Sequence, residues 1–126
     1  MSEINKLLVE LVALLERSGF CENIRIIETS FFSATKFAFR IRTIIFSSIS
    51  FQIRVYYNHE HYDYSYQVFG AEPLCRWDNA EHFPELKTFP HHYHSIDGNV
   101  VQSPLSGSPA TDLMIVLEEL RRLFGK

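Results

Sequence analysis

Four of the six histidines of the chain fall between positions 82 and 94, and they are the residues best suited to chemistry. They are His82, His91, His92 and His94. Histidine titrates near neutral pH, so two imidazoles held close together can act as general acid and general base. Arg76 precedes them, and its guanidinium can stabilise negative charge on phosphate oxygens. These five residues predict a catalytic site for phosphodiester chemistry that needs no metal.

The conformation of residues 90–94 decides which of these histidines act together. In an extended segment successive side chains point to opposite faces, so His92 and His94 would share one face, and His91 and Tyr93 the other. In the alternative interpretation His91 and Tyr93 pack against the core, while His92 and His94 hydrogen-bond to backbone. Histidines placed around a solvent-reachable cleft would favour catalysis, and buried histidines bonded to backbone would favour a structural role.

A metal site is the second hypothesis for the same segment. His82, His92, His94 and Asp78 carry donor atoms that suit zinc or a harder divalent ion. Their spacing matches no familiar zinc signature, and the sequence contains no HExxH motif. We therefore expect no metal and no other cofactor.

Basic side chains alternate with apolar ones along two predicted strands, and they support a third hypothesis, binding without catalysis. If the apolar positions pack on the helices, the basic ones lie together on the opposite face. Such a face suits single-stranded nucleic acid or an acidic partner protein. An ordinary solvated sheet face is the simpler interpretation. The residues predicted to bind are Lys36, Arg40, Arg42 and Arg54, with Trp77 and Asp78 beside the histidines.

Trp77 and Asp78 also have simpler structural interpretations. A lone tryptophan beside Arg and Asp can stack on a ligand, but a buried tryptophan is commoner. Asp78-Asn79 fits a turn in which short polar side chains bond local backbone. Pro84 and Pro90 fix their φ angles, and we expect them to shape the loop that directs the histidines.

Regular elements on both sides of this segment must position it. Apolar residues recur at helical spacing over residues 3–17, with Ser2 as a suitable N-cap and Ser18-Gly19 as the end of the helix. From 23 to 69 the period changes to two in four successive runs, which predicts antiparallel strands joined by hairpins. Further short extended pieces and a last helix are predicted at 74–77, 91–94, 99–102 and from Ser108-Pro109 onward.

These elements predict a single α+β domain over residues 1–126, with an antiparallel β-sheet meander of about four to six strands covered on one face by N-terminal and C-terminal helices. The hydrophobic content of 46% is enough for a real core. A net charge of −3 argues against a protein that coats nucleic acid through overall charge. The sequence shows no signal peptide or membrane span, and the two cysteines are unpaired, so we expect a cytoplasmic protein. The apolar segment 44–46 would allow a homodimer.

Residues 76–94 read RWDNAEHFPELKTFPHHYH, a run more specific than any periodicity. This run, together with the order helix, sheet, motif and helix, resembles the TumE family of toxin–antitoxin proteins. The resemblance implies a small toxin that is neutralised by a neighbouring antitoxin, often a helix-turn-helix protein. We expect RNA or another translation target as its substrate. It supplies no catalytic residues. The competing hypothesis is a non-catalytic domain that binds a partner protein or nucleic acid. The matching positions are Arg76, Trp77, Asp78, Asn79, Ala80, His82, Pro84, Glu85, Thr88, Phe89, Pro90, His91, His92 and His94.

Overall fold

The computed structural model describes residues 2–125, which form two helices and seven strands. Both helices are found where the sequence predicted them. In chain order the elements are α1 (Glu3–Arg17), β1 (Cys21–Ser33), β2 (Lys36–Ile45), β3 (Ile49–Asn58), β4 (His61–Phe69), β5 (Pro73–Asp78), β6 (His92–His94), β7 (Val100–Gln102) and α2 (Pro109–Phe124).

The seven strands of the described chain form one antiparallel sheet in chain order. This confirms the predicted α+β class and the meander. The sheet extends beyond the predicted four to six strands because all three short extended pieces pair in turn as β5, β6 and β7. β6 and β7 have three residues each, too few to show a period of their own.

Both helices cover the same face of the sheet. α1 begins after Ser2, whose Oγ accepts the backbone N–H of Asn5, and its Leu11 and Leu15 are fully buried. α2 contributes Leu113 and the other apolar residues of its stripe. Each fully buried side chain of this size contributes about 1.5–3 kcal/mol of hydrophobic free energy. On the sheet the buried partners are Phe37, Phe39, Ile41, Ile45, Phe51, Ile53, Val55, Tyr64, Tyr66, Val68, Cys75 and Trp77.

A buried carboxylate fixes the start of α2 on β4. Oδ2 of Asp112 accepts the Tyr64 hydroxyl at 2.5 Å and the Gly107 N–H at 3.1 Å. Its Oδ1 accepts the N–H and the hydroxyl of Ser106 at 2.9 and 2.8 Å. Ser108 stands at the predicted N-cap, but its side chain makes no capping bond, and Asp112 binds the preceding donors instead. These bonds join the last helix to the middle of the sheet.

The other face of the sheet is open and polar, and strand register arranges its side chains in rows. Neighbours in a row lie on adjacent strands, about 4.8 Å apart. One row comprises Glu28, Arg40, Arg54, Ser65, Asp78, His92 and Gln102. The next comprises Arg25, Arg42, Gln52, Gln67, Arg76 and His94. Register thus brings the predicted basic residues onto the same surface as two of the histidines.

The segment 44–46, the predicted dimer edge, is not at an edge of the sheet. It ends β2, which pairs with strands on both sides; Ile45 is fully buried, and Phe46 stacks on Phe20 with ring centroids 4.4 Å apart. The edge on this side is β1, so the prediction of a homodimer loses the surface on which it was based. None of the helices within residues 2–125 is long and apolar enough to cross a membrane.

Candidate functional site

A cleft of about 520 Å³ lies on the open face of the sheet, above strands β2 to β5. Its lining is mainly polar and includes three arginines, an aromatic ring and one of the predicted histidines. The loop after β5 forms one wall, and the exposed His82 stands on that loop. The lining residues that matter for chemistry are Arg40, Arg54, Tyr56, Asp63, Arg76 and His82.

Asp78 is the centre of a charged cluster at one end of this cleft, and its side chain is only 10% exposed. Its Oδ1 lies 2.8 Å from Nε2 of His92 and accepts the N–H of Ala80 at 3.0 Å. Its Oδ2 accepts Nε–H of Arg76 at 2.7 Å and lies 3.8 Å from Nε2 of His94. One carboxylate therefore positions three basic side chains.

His92 is 1% exposed and is held at both ring nitrogens. Nδ1 lies 3.1 Å from the carbonyl oxygen of Pro90, and Nε2 faces Asp78. Since a carbonyl only accepts, Nδ1 donates its N–H to this bond. The Phe83 ring covers the imidazole, with centroids 4.7 Å apart. His92 does not line the cleft itself; it contacts Asp78, which does.

His94 lies beside His92 with its side chain 30% exposed. Its Nε2 is 3.0 Å from Nη2 of Arg76. A guanidinium only donates, so this nitrogen is an acceptor and the proton of the neutral ring lies on Nδ1. Burial, followed by the charge of Arg76, lowers the pKa of His94 below its usual value. At pH 7 His94 thus presents a lone pair rather than a positive charge.

Arg76 connects this cluster to the cleft. It donates to both Asp78 and His94, yet its side chain is 40% exposed and lines the cleft. The N–H groups not used in these two bonds are available to an anion. Asp78, His92 and His94 also offer one potential metal-ligand atom each within 4.8 Å of one another, with Arg76 bonded to two of the three.

The structure brings four of the predicted site residues into direct contact, Arg76, Asp78, His92 and His94, while His82 stands at the rim of the cleft. His91 is not part of this group. It points to the other face, half-buried, with its ring centroid 6.1 Å from that of Tyr64. The division follows the alternation expected for an extended segment.

Trp77 faces the core and not the cleft. It is 2% exposed and packs against Tyr93, with ring centroids 4.6 Å apart. This matches the structural interpretation of the tryptophan and leaves it unavailable as a stacking platform. Its neighbour Asp78 faces the opposite side of β5, where it contacts the histidines.

The four residues of the predicted basic patch differ in how far other side chains already engage them. Arg54 is exposed at the cleft and makes no ion pair within residues 2–125. Arg40 pairs with Glu28 at 3.1 Å, and Arg42 donates to the Gln52 side chain at 2.6 Å. Lys36 stands at the far end of β2, with its Nζ 5.6 Å from the Phe32 ring centroid. Arg54 is therefore the patch residue most available to a ligand.

Asn79 positions the loop after β5 through contacts that the sequence did not reveal. It was expected to bond local backbone, but its side chain reaches across to β4 instead. Oδ1 accepts the N–H of Tyr64 at 3.0 Å, and Nδ2 donates to the carbonyl of Tyr62 at 2.7 Å. These bonds pin the start of the histidine loop to the sheet. No periodicity signals such a contact, because it depends on strand register.

A pH dependence of stability follows from His91. Burial lowers the pKa of this imidazole, and its Nδ1 has no hydrogen-bond partner within residues 2–125. The unfolded chain, with a histidine pKa of about 6.5, then binds a proton more readily than the folded chain. The free energy of unfolding should fall as pH is lowered from about 6.5 toward the folded pKa, and His91→Gln should weaken that fall. Urea titrations at several pH values measure both slopes; identical slopes would contradict the assignment.

Fold and cluster together define a small α+β protein with an Asp–His–Arg site on the open face of a meander sheet. The profile of a family described as Toxin TumE matches residues 11–124, from within α1 to the end of α2. The chain belongs to this toxin family. No curated protein and no solved structure matches it significantly.

Proposed function

We propose that this chain is the toxin of a toxin–antitoxin pair and that it cleaves RNA in the cleft by histidine-mediated phosphodiester chemistry. Membership of the TumE toxin family supports the first part. One observation supports the second part, the cleavage of RNA. At the border of a cleft lined by basic side chains, Asp78 binds Arg76, and Arg76 in turn contacts the ring nitrogen of His94 that has a free lone pair. RNA as the substrate places the action of the toxin in the cytoplasm.

The lining of the cleft suits a single-stranded RNA backbone. Arg54 and Arg76 provide cations that can pair with phosphates, and Tyr56 provides a ring on which a base can stack. These charges are local, so the net charge of −3 does not oppose binding. Single-stranded RNA fits better than a duplex because stacking requires an unpaired base.

RNA supplies its own nucleophile, the 2′-hydroxyl. Nε2 of His94 takes the proton of this hydroxyl, whose oxygen attacks the adjacent phosphorus, while the bond to the 5′ oxygen breaks. His82 donates a proton to that oxygen, leaving a 2′,3′-cyclic phosphate and a free 5′-hydroxyl. Arg76 binds the phosphate oxygens on which negative charge develops. When Arg76 binds the phosphate, it gives up its hydrogen bond to His94, and the lone pair on Nε2 is then free to accept the proton of the 2′-hydroxyl.

Asp78 and His92 act as positioning residues in this scheme. The carboxylate orients Arg76 at 2.7 Å, and His92 holds the carboxylate from its buried side at 2.8 Å. Neither needs to touch the substrate. A geometry fixed before the substrate binds lowers the cost of orienting groups in the transition state.

The test uses a labelled single-stranded RNA and the purified chain in excess EDTA. We expect cleavage to products that end in a 2′,3′-cyclic phosphate. An oligonucleotide of the same sequence with 2′-deoxyribose should stay intact, because it lacks the nucleophile. Cleavage that EDTA abolishes, or equal cleavage of the deoxy substrate, would contradict the proposed chemistry.

The partner we propose is an antitoxin, of the helix-turn-helix class that the family resemblance implies, encoded beside this chain. Co-expression with that protein should restore growth to cells that the toxin arrests. A non-catalytic interaction domain is the second candidate, and the burial of His92 against the Pro90 carbonyl favours it. This candidate would be supported if the purified chain left the RNA intact while expression of the chain still arrested growth.

A further inference from the structure

We propose that Asp78, His92 and His94 form a binding site for a transition-metal dication such as Zn²⁺, and that the guanidinium of Arg76 competes with the metal for it. The proposal goes beyond the proposed function, in which no metal takes part. It rests on the distances between the donor atoms, on the hydrogen bonds that orient the ligands, and on the position of Arg76 beside them.

The three donor atoms are close to a metal-binding arrangement. Imidazole nitrogen and carboxylate oxygen ligands lie about 2.0–2.2 Å from zinc, so two ligands of a tetrahedral site are about 3.3 Å apart. Nε2 of His92 is 2.8 Å from Oδ1 of Asp78, and Nε2 of His94 is 3.8 Å from Oδ2. These two separations, measured to the two oxygens of one carboxylate, lie on either side of that value, and the three donor atoms all lie within 4.8 Å of one another.

The outer contacts of these ligands are those that orient metal ligands in proteins. A metal-bound histidine usually donates its other ring N–H to a carbonyl or carboxylate, which fixes its tautomer. His92 donates Nδ1–H to the Pro90 carbonyl at 3.1 Å, which directs Nε2 toward Asp78. The carboxylate is itself fixed by the Ala80 N–H at 3.0 Å.

Arg76 is the cation that these ligands bind in the structure. Its Nε is 2.7 Å from Asp78 and its Nη2 is 3.0 Å from His94, so it uses the same lone pairs that a metal needs. Its side chain is 40% exposed, and it can turn into the cleft without crossing the core. Metal binding is therefore an exchange of one cation for another.

Isothermal titration of the untagged, EDTA-stripped full chain with ZnCl₂ tests the site. We expect one site with a Kd of about 10 µM or tighter, lost in His94→Ala and retained in His61→Ala. His61 is the matched control, because it lies 3.1 Å from Asp63 and forms the most evident surface histidine–carboxylate pair. Circular dichroism checks that each variant folds. Absence of binding, or binding lost only in His61→Ala, would overturn the proposal.

His94→Cys tests direct ligation, because it keeps a donor and changes its chemistry. With Co²⁺ as the probe, a thiolate ligand adds a near-ultraviolet charge-transfer band that imidazole and carboxylate ligands do not give. We expect the band in His94→Cys and not in the wild-type chain. A folded His94→Cys variant that binds Co²⁺ without this band would contradict ligation at position 94.

Arg76→Ala tests the competition. Without the guanidinium, Zn²⁺ should bind about tenfold more tightly or better. Arg54→Ala removes the same charge from the same cleft, but Arg54 bonds to none of the three ligands. An equal gain in both variants would indicate a general charge effect and would overturn the claim that Arg76 occupies the site.

Discussion

Replacement of His94 by alanine is expected to lower the rate of RNA cleavage about 10²- to 10⁴-fold, the usual contribution of a general base. The physical reason is its Nε2, which is an acceptor because Arg76 donates to it at 3.0 Å. Alanine removes the lone pair and leaves Arg76 and Asp78 in contact. Single-turnover cleavage of the labelled RNA measures the effect, and growth arrest on expression provides a second readout.

The matched control for His94→Ala is His61→Ala, the same change at an exposed histidine on β4. It should cleave at the wild-type rate and arrest growth as the wild type does. The His94 side chain is partly exposed, so we expect the His94→Ala variant to stay folded. A urea titration checks this. Wild-type cleavage by a folded His94→Ala variant would contradict its role as the base, whereas RNA left intact by the wild type as well would support the interaction domain.

Replacement of Asp78 by alanine is expected to lower the free energy of unfolding by about 1–3 kcal/mol, the usual cost of leaving buried hydrogen-bonding groups without their partner. The side chain is 10% exposed and contacts Arg76, His92 and the Ala80 N–H. Its loss leaves the Ala80 N–H and the Arg76 Nε–H without their acceptor and removes the close contact to Nε2 of His92. Urea unfolding at pH 7 measures the change, and RNA cleavage should fall as well because Arg76 is no longer held.

Asp63→Ala provides the comparison for Asp78→Ala. Asp63 also pairs with a histidine, at 3.1 Å from His61, but both side chains are well exposed. Exposed pairs contribute about 0–1 kcal/mol, so this variant should unfold at nearly the wild-type urea concentration. Similar losses in the two variants would show that Asp78 is not the buried centre of the cluster.

Much of the fold could be predicted because single elements carry their own periods. α1 and α2 show apolar stripes with end signals, and each of the strands β2 to β4 contains a run in which apolar and polar residues alternate. The same alternation separated His91 from His92 and His94. Local rules of this kind depend only on the side-chain geometry of one element.

The site itself depends on contacts between elements, which no single period encodes. Asp78 meets His92 because β5 pairs with β6 in one register, and a shift by one residue would move the carboxylate to the other face. Asn79 and Asp112 likewise bond across to β4, although the sequence suggested only a local turn at Asn79 and nothing at Asp112. Buried polar residues of this sort are recognised only once the three-dimensional partners are known.

The position of α2 has a consequence for the synthesis of the chain. α2 follows every strand, yet its Leu113, Val116 and Leu120 complete the core, and its Asp112 fastens β4 through Tyr64. While the chain emerges from the ribosome, the meander can pair strand by strand, but half of its cover is still missing. The apolar face closes only when the last helix has been made, so a chain that still lacks α2 exposes part of its core to water.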